Sequence, residues 1–198
     1  MSKVQDVRKD LAYRITRPAA QFLAHTPVMP NTITWIGFAL TVAAAVIIYL
    51  GHTFIAGWVV LFAGVFDMLD GALARMANRT TSFGAVLDST LDRLCEAVLL
   101  VAVLALFVRA NETGFALLTA GALVGSFMVS YIRARAEGIG LELHEGWFTR
   151  AERVIVLALG LLLSWFAIAL PIALGIIFML SFLTAGQRLF LVWQKTRR

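Results

Sequence analysis

The chain has 198 residues, 60% hydrophobic and 15% charged, with a formal net charge of +5 and a mean hydropathy of +0.84. That is too apolar for a water-soluble domain of this size, so a lipid bilayer is the expected solvent for most of it. The single cysteine, Cys95, excludes an intrachain disulfide, His25, His52 and His144 are too scattered for a zinc site, and no nucleic-acid-binding motif accompanies the positive charge.

At the start, Lys3, Arg8, Lys9, Arg14 and Arg17 alternate with Val4, Val7, Leu11, Ile15 and Phe22, the pattern of a basic amphipathic helix lying on a membrane surface over residues 1–25. Pro18 bends or ends it. No charged side chain occurs between Arg17 and Asp67, or between Arg153 and Arg188, and each stretch is long enough for two crossings of about 20 residues. Gly51-His52-Thr53 divides the first stretch, and a turn from Ser164 to Pro171 divides the second. Two more apolar runs, Val98 to Val108 and Phe115 to Ile132, flank Arg109-Ala110-Asn111-Glu112. The pattern predicts an all-α, polytopic membrane protein: six transmembrane helices over residues 32–50, 54–77, 85–108, 113–135, 152–169 and 171–193, with no second domain in residues 1–198.

Cytoplasmic loops are enriched in Lys and Arg, which sets the orientation. Five of the 17 basic residues precede the first span, three surround the second connection, four surround the fourth and four lie at the C-terminal end, leaving only Arg109 for the other side. Both termini of a multi-pass cell-membrane protein are therefore expected in the cytoplasm, with the second and fourth connections beside them.

Four of the six aspartates, Asp67, Asp70, Asp88 and Asp92, fall within one 26-residue window. Asp67 and Asp70 are i,i+3 near the end of the second helix, and Asp88 and Asp92 are i,i+4 near the start of the third, so each pair shares a helix face. An antiparallel hairpin would bring the pairs together. Four ionised carboxylates at membrane level repel and lose hydration, so they require cations, protonation or water, and oxygen-only ligands suit a hard cation such as Mg2+ or Mn2+. Aspartates capping helix ends at the interface are the plainer alternative. Gly71 and Gly84, four residues from Asp67 and Asp88, leave room for a substrate, whereas Gly121 and Gly125 suggest helix packing.

Asp67-Met-Leu-Asp70-Gly71-Ala-Leu-Ala74-Arg75, followed by Gly84-Ala-Val-Leu-Asp88-Ser-Thr-Leu-Asp92, resembles the full D-x2-D-G-x2-A-R-x8-G-x3-D-x3-D signature of CDP-alcohol phosphotransferases. Pro30-Asn31-Thr32-Ile33-Thr34 is similar to the segment that opens the family's first helix. The resemblance implies six transmembrane helices behind an amphipathic helix, a CDP-lipid such as CDP-diacylglycerol as donor, CMP as leaving group and a homodimer. It also implies a two-metal centre held by Asp67, Asp70 and Asp88, with Asp92 as general base and possible fourth metal ligand. Asn31, Thr34, Gly71, Arg75 and Thr81 would border the cytidine diphosphate. The chemistry fits independently, because paired metals stabilise attacking and leaving oxygens while a carboxylate takes the acceptor proton.

A second cluster lies on the same side: Arg133 and Arg135 at the end of the fourth helix, Arg150 and Arg153 at the start of the fifth, and Arg188 in the sixth. Positive-inside bias accounts for some of them, but Arg188 follows 34 uncharged residues, and a cation so placed needs a partner. A bound phosphate would satisfy several guanidinium groups at once. The segments Tyr131 to Glu137, Arg150 to Arg153 and Gln187-Arg188 resemble those of prokaryotic phosphatidylinositol phosphate synthases, with Ala151 where proline is frequent and Arg133 where lysine is familiar. That implies inositol phosphate as the acceptor, with glycerol 3-phosphate the alternative. Intramembrane carboxylates and arginines also build cation or proton transporters, but a transporter has no need of Gly71, Ala74 and Arg75 in register with the aspartates.

Overall fold

The computed structural model describes residues 30–76, 81–143 and 146–197, so the expected surface helix over residues 1–25 lies outside the described residues. Six helices follow in order: α1 (Pro30–Tyr49), α2 (Thr53–Met76), α3 (Ser82–Arg109), α4 (Thr113–Glu137), α5 (Arg150–Leu162) and α6 (Ala169–Thr196). No strand occurs among the described residues. The breaks between helices have local causes. Gly51 takes φ +89°, a conformation that side chains resist, and Asn111 takes φ 60° in the α3–α4 turn, where asparagine is tolerated. Thr81 caps α3, its hydroxyl accepting from Gly84 N–H at 3.0 Å. A capping box opens α5: the Glu152 carboxylate accepts from the Thr149 backbone N–H at 2.7 Å and from its hydroxyl.

The fifth helix differs from its expected span of residues 152–169. It stops at Leu162, and residues 163–168 form a turn. The turn is tied to the start of α2 by a hydroxyl–hydroxyl hydrogen bond of 2.7 Å between Thr53 and Ser164 and by the Phe54 and Trp165 rings, 5.3 Å apart. Pro171 is the third residue of α6, where its missing N–H costs no helical bond. At 13 residues, α5 is about 20 Å long, short of a hydrocarbon core of about 30 Å. Among the described residues, three segments are long and apolar enough to cross a membrane: Asn31–Tyr49, Thr113–Glu137 and Ala169–Thr196.

Packing closes the helices into a ring. α1 lies against α2 and α3, α2 against α5, α5 against α6, α6 against α4, and α4 against α3. Gly121 and Gly125 let α4 approach α6: a Cβ at Gly121 would lie 2.7 Å from Phe178, and one at Gly125 would lie 3.0 Å from Ser181. One end of the ring is filled, with Ile48, Leu100, Val103, Leu161, Leu174 and Ile177 no more than 1% exposed. The outer surface is apolar as well, since Trp58, Phe62, Leu117, Trp165, Phe166 and Leu183 are all exposed. An apolar exterior around a packed apolar interior fits lipid as solvent rather than water. Apart from Arg109 and Glu112, the charged described residues gather at the other end of the ring, where the interior opens into a cavity.

Candidate active site

The end of α2 stands beside the start of α3. As a result, carboxylate oxygens of Asp67, Asp88 and Asp92 lie within 4.8 Å of one another. Three partly buried carboxylates at that separation can share one divalent cation, and an oxygen-only donor set favours a hard one. Asp70, the fourth aspartate of the window, lies in α2 one turn beyond Asp67 and is followed by Gly71; the side chains of Asp70 and Arg75 are outside the described residues.

Positive charge reaches the carboxylates from across the ring. Arg150, the first residue of α5, donates through Nη1 to the two Asp67 oxygens at 2.8 and 2.7 Å and also to Asp92. One turn further along α5, Arg153 meets Glu96, one turn beyond Asp92 on α3. Its Nε and Nη2 donate to the two Glu96 oxygens at 2.5 and 2.8 Å. The two ion pairs thus form successive rungs between α3 and α5, helices that are not close-packed neighbours in the ring.

Above these rungs lies a cavity of about 500 Å³, whose wall includes Asp67, Asp92, Arg133, Arg150, Arg153 and Arg188. Its size is that of a small-molecule site. Arg188 is 4% exposed and donates through Nη1 to the Val129 carbonyl at 2.6 Å, which ties α6 to α4. Gly146 lies so close to this guanidinium that a Cβ there would stand 2.8 Å from Nη2. Arg133 pairs with Glu137 at 2.8 Å on the exposed rim. Arg135 is exposed and off the cavity wall, because residues two apart on a helix cannot share a face.

The residues expected around a nucleotide are only partly assembled. Asn31 Oδ1 and Thr81 Oγ1 converge on Gly84, where an added Cβ would meet them at 3.3 and 2.9 Å, so the start of α1 meets the start of α3 here. Thr34 lines a separate cavity of about 30 Å³ shared with Thr41, Asp67, Asp92 and Cys95, large enough for water. Glu96 and Arg93 are cavity residues that the sequence reading did not single out. Glu96 had a signal, since Asp88, Asp92 and Glu96 fall at successive i,i+4 positions. Arg93, which donates to the Ser89 carbonyl and lies 3.9 Å from Asp92, had none beyond its charge.

Comparison with known proteins places this geometry in a context. A family model described as CDP-alcohol phosphatidyltransferase matches residues 27–186. The phosphatidylinositol phosphate synthase of Mycobacterium marinum is 37% identical over 202 residues, covering 98% of this chain and 86% of the relative. The archaetidylinositol phosphate synthase of Methanothermobacter thermautotrophicus is 40% identical over 171 residues, 83% of each chain. The crystal structure of Mycobacterium tuberculosis phosphatidylinositol phosphate synthase with CDP-DAG bound superposes with a TM-score of 0.83 at 36% identity, covering 91% of this chain and 94% of that one. The same enzyme in complex with manganese and citrate gives a TM-score of 0.83 at 35% identity, over 90% and 88%.

Proposed function

Because this chain belongs to the CDP-alcohol phosphatidyltransferase family, we propose that it transfers a phosphatidyl group from CDP-diacylglycerol to inositol phosphate, releasing CMP and forming phosphatidylinositol phosphate. The observation that carries the reading is the single cavity walled both by aspartates of the metal-type cluster and by arginines suited to a phosphate. A transferase that joins a pyrophosphate donor to a phosphorylated acceptor needs those two chemistries side by side. The solved relatives support the donor half, one with CDP-DAG and one with manganese. For the acceptor half, the bacterial and archaeal relatives differ in the lipid they are named for but share inositol phosphate.

In this reading Asp67, Asp70, Asp88 and Asp92 hold two divalent cations, Mg2+ or Mn2+. When bound, these would stabilise negative charge on the donor pyrophosphate and its leaving oxygen. Asn31, Thr34, Gly71, Arg75 and Thr81 border the cytidine diphosphate. Asp92 takes the proton of the attacking inositol hydroxyl; its place on both the carboxylate cluster and the cavity wall, shared with Asp67, supports that role. Arg150, Arg153 and Arg188, with Arg133 at the rim and Arg135 outside the wall, supply the field that draws in a phosphomonoester. The acceptor's phosphate and its reacting hydroxyl are then held at different parts of one cavity, which orients the hydroxyl towards the donor.

Six crossings, one membrane domain over residues 1–198, a surface helix over residues 1–25, cytoplasmic termini and a homodimer complete the proposal. Support for the topology lies in the contacts of Asn31 with Gly84, and of Lys195 with the Glu142 carbonyl at 2.9 Å, which put the start of α1 and the end of α6 at the site end of the ring. The test is CMP release by purified protein with CDP-diacylglycerol, Mg2+ or Mn2+, and a panel of inositol phosphate, free inositol, glycerol 3-phosphate and serine. Inositol phosphate is expected to be the productive acceptor. Preference for glycerol 3-phosphate would reassign the acceptor, and no CMP release with any of the four would return the transporter reading to contention.

A further inference from the structure

The α3 carboxylate stripe does not end with the metal-type cluster. Glu96 continues it by one turn, yet it is absent from the group of oxygens within 4.8 Å, which consists of Asp67, Asp88 and Asp92. Both Glu96 oxygens are instead engaged by Arg153, at 2.5 and 2.8 Å. Glu96 is 5% exposed and Arg153 2%, so little water competes for either charge. The contact uses one edge of the guanidinium, Nε and Nη2, while Nη1 donates to the Phe148 carbonyl at 3.3 Å. A guanidinium has five N–H groups. With these three engaged, one N–H remains on each terminal nitrogen, in a plane that Glu96 fixes.

We propose that Glu96 is a positioning residue for the acceptor: it clamps Arg153 so that the two remaining N–H groups face the cavity as a pre-set fork for the acceptor phosphate. This rests on the reading that Arg153 contacts that phosphate. Bidentate recognition of a tetrahedral oxyanion requires a fixed guanidinium plane, and an arginine on an unbraced side chain must lose its rotamer freedom each time it binds. Glu96 meets that cost within the folded protein. It also compensates charge on a wall that carries Arg93, Arg133, Arg150, Arg153 and Arg188. Without it, Arg153 would be repelled by its neighbours towards solvent. Because Glu96 and Asp92 are one turn apart on the same helix, the phosphate fork and the proposed general base are held by one rigid element. The spacing between the phosphate fork and the general base is thereby set by α3.

The test compares steady-state kinetics of Glu96→Gln, Glu96→Ala and Arg153→Gln in detergent-solubilised full-length protein, varying inositol phosphate and CDP-diacylglycerol separately, with thermal unfolding followed in parallel. Glu96→Gln keeps the shape of the side chain and guards against a misfolded Glu96→Ala. Both Glu96 variants are expected to raise KM for inositol phosphate about tenfold while KM for CDP-diacylglycerol stays within about twofold. A charge-swapped double variant, Glu96→Arg with Arg153→Glu, should recover thermal stability by restoring an ion pair without recovering acceptor KM. Recovery of both would make the pair purely structural and overturn the proposal. If Arg153→Gln raises the acceptor KM but neither Glu96 variant does, Glu96 has no positioning role. If Arg153→Gln itself leaves that KM unchanged, the phosphate-pocket reading falls, and the role of Glu96 falls with it.

Discussion

The two ends of the helix ring handle charge in opposite ways. At the packed end Arg109 is satisfied by neutral groups: its Nη1 donates to the Tyr49 carbonyl at 2.6 Å and its guanidinium lies 4.7 Å from the centre of the Tyr49 ring. The turns there are held by a hydroxyl pair, Thr53 with Ser164, and by aromatic contact. At the open end Arg150 and Arg153 are satisfied by carboxylates: Arg150 by Asp67 of its packed neighbour α2 and by Asp92 of α3, and Arg153 by Glu96 of α3, a helix not close-packed against α5. A polar contact at the packed end holds a turn in place. One at the open end keeps two like-charged groups together, which is stable only when opposite charges interleave or when a ligand brings them. Substitutions at the two ends should therefore separate into those that change turnover and those that change only stability.

Metal removal should have the largest effect. Chelation of the purified enzyme is expected to abolish CMP release, and readdition of Mg2+ or Mn2+ to restore it. Asp67→Asn and Asp88→Asn should each lower turnover at limiting metal by about 10³-fold, the several kcal/mol that a bound cation contributes to transition-state charge. Their thermal unfolding should show the protein still folded. Wild-type rates in both variants would remove the metal centre from the proposal and leave the carboxylates as counter-charges to Arg150 alone.

Asp92→Asn tests the same cluster with a different readout. Turnover should fall about 10²-fold or more while equilibrium binding of CDP-diacylglycerol persists, because a base acts on the acceptor's proton. Loss of donor binding together with turnover would make Asp92 a metal ligand and no base. A smaller effect is expected at Arg188: Arg188→Gln should raise KM for inositol phosphate about tenfold and leave KM for the CDP-lipid nearly unchanged, the loss of one charge-assisted hydrogen bond. Equal changes in the two constants would instead point to the tie between α6 and α4 through the Val129 carbonyl.

The packed end should give the smallest effects. Thr53→Val removes the hydrogen bond to Ser164 and is expected to cost about 1 kcal/mol in unfolding free energy. Arg109→Gln should cost about 0.5–1 kcal/mol through its lost contact with the Tyr49 ring. Neither should change kcat or either KM. A turnover defect in Thr53→Val would mean that the two ends are coupled through α2, and would end the separation drawn here.

Much of this molecule is legible in the order of its residues. Uncharged stretches bounded by Gly51, Arg109 and Pro171 locate six helices, because an apolar run and a turn former are local properties. The spacing of Asp67, Asp88 and Asp92 identifies the faces that meet, since residues four apart on a helix stand together wherever the helix goes. Other features depend on contacts between distant segments. The turn after Leu162, which the sequence marks only as lying between Ser164 and Pro171, docks on Thr53 and Phe54, more than 100 residues away in sequence, and no local signal marks that contact. The closed order of the ring, the separation of Arg135 from the cavity wall, and the pairing of Arg150 with Asp67 and Asp92 and of Arg153 with Glu96 are likewise tertiary. Sequence establishes which charges share a helix face. Only the assembled ring decides which faces confront each other across the cavity, because that depends on helix packing and on the reach of the side chains between.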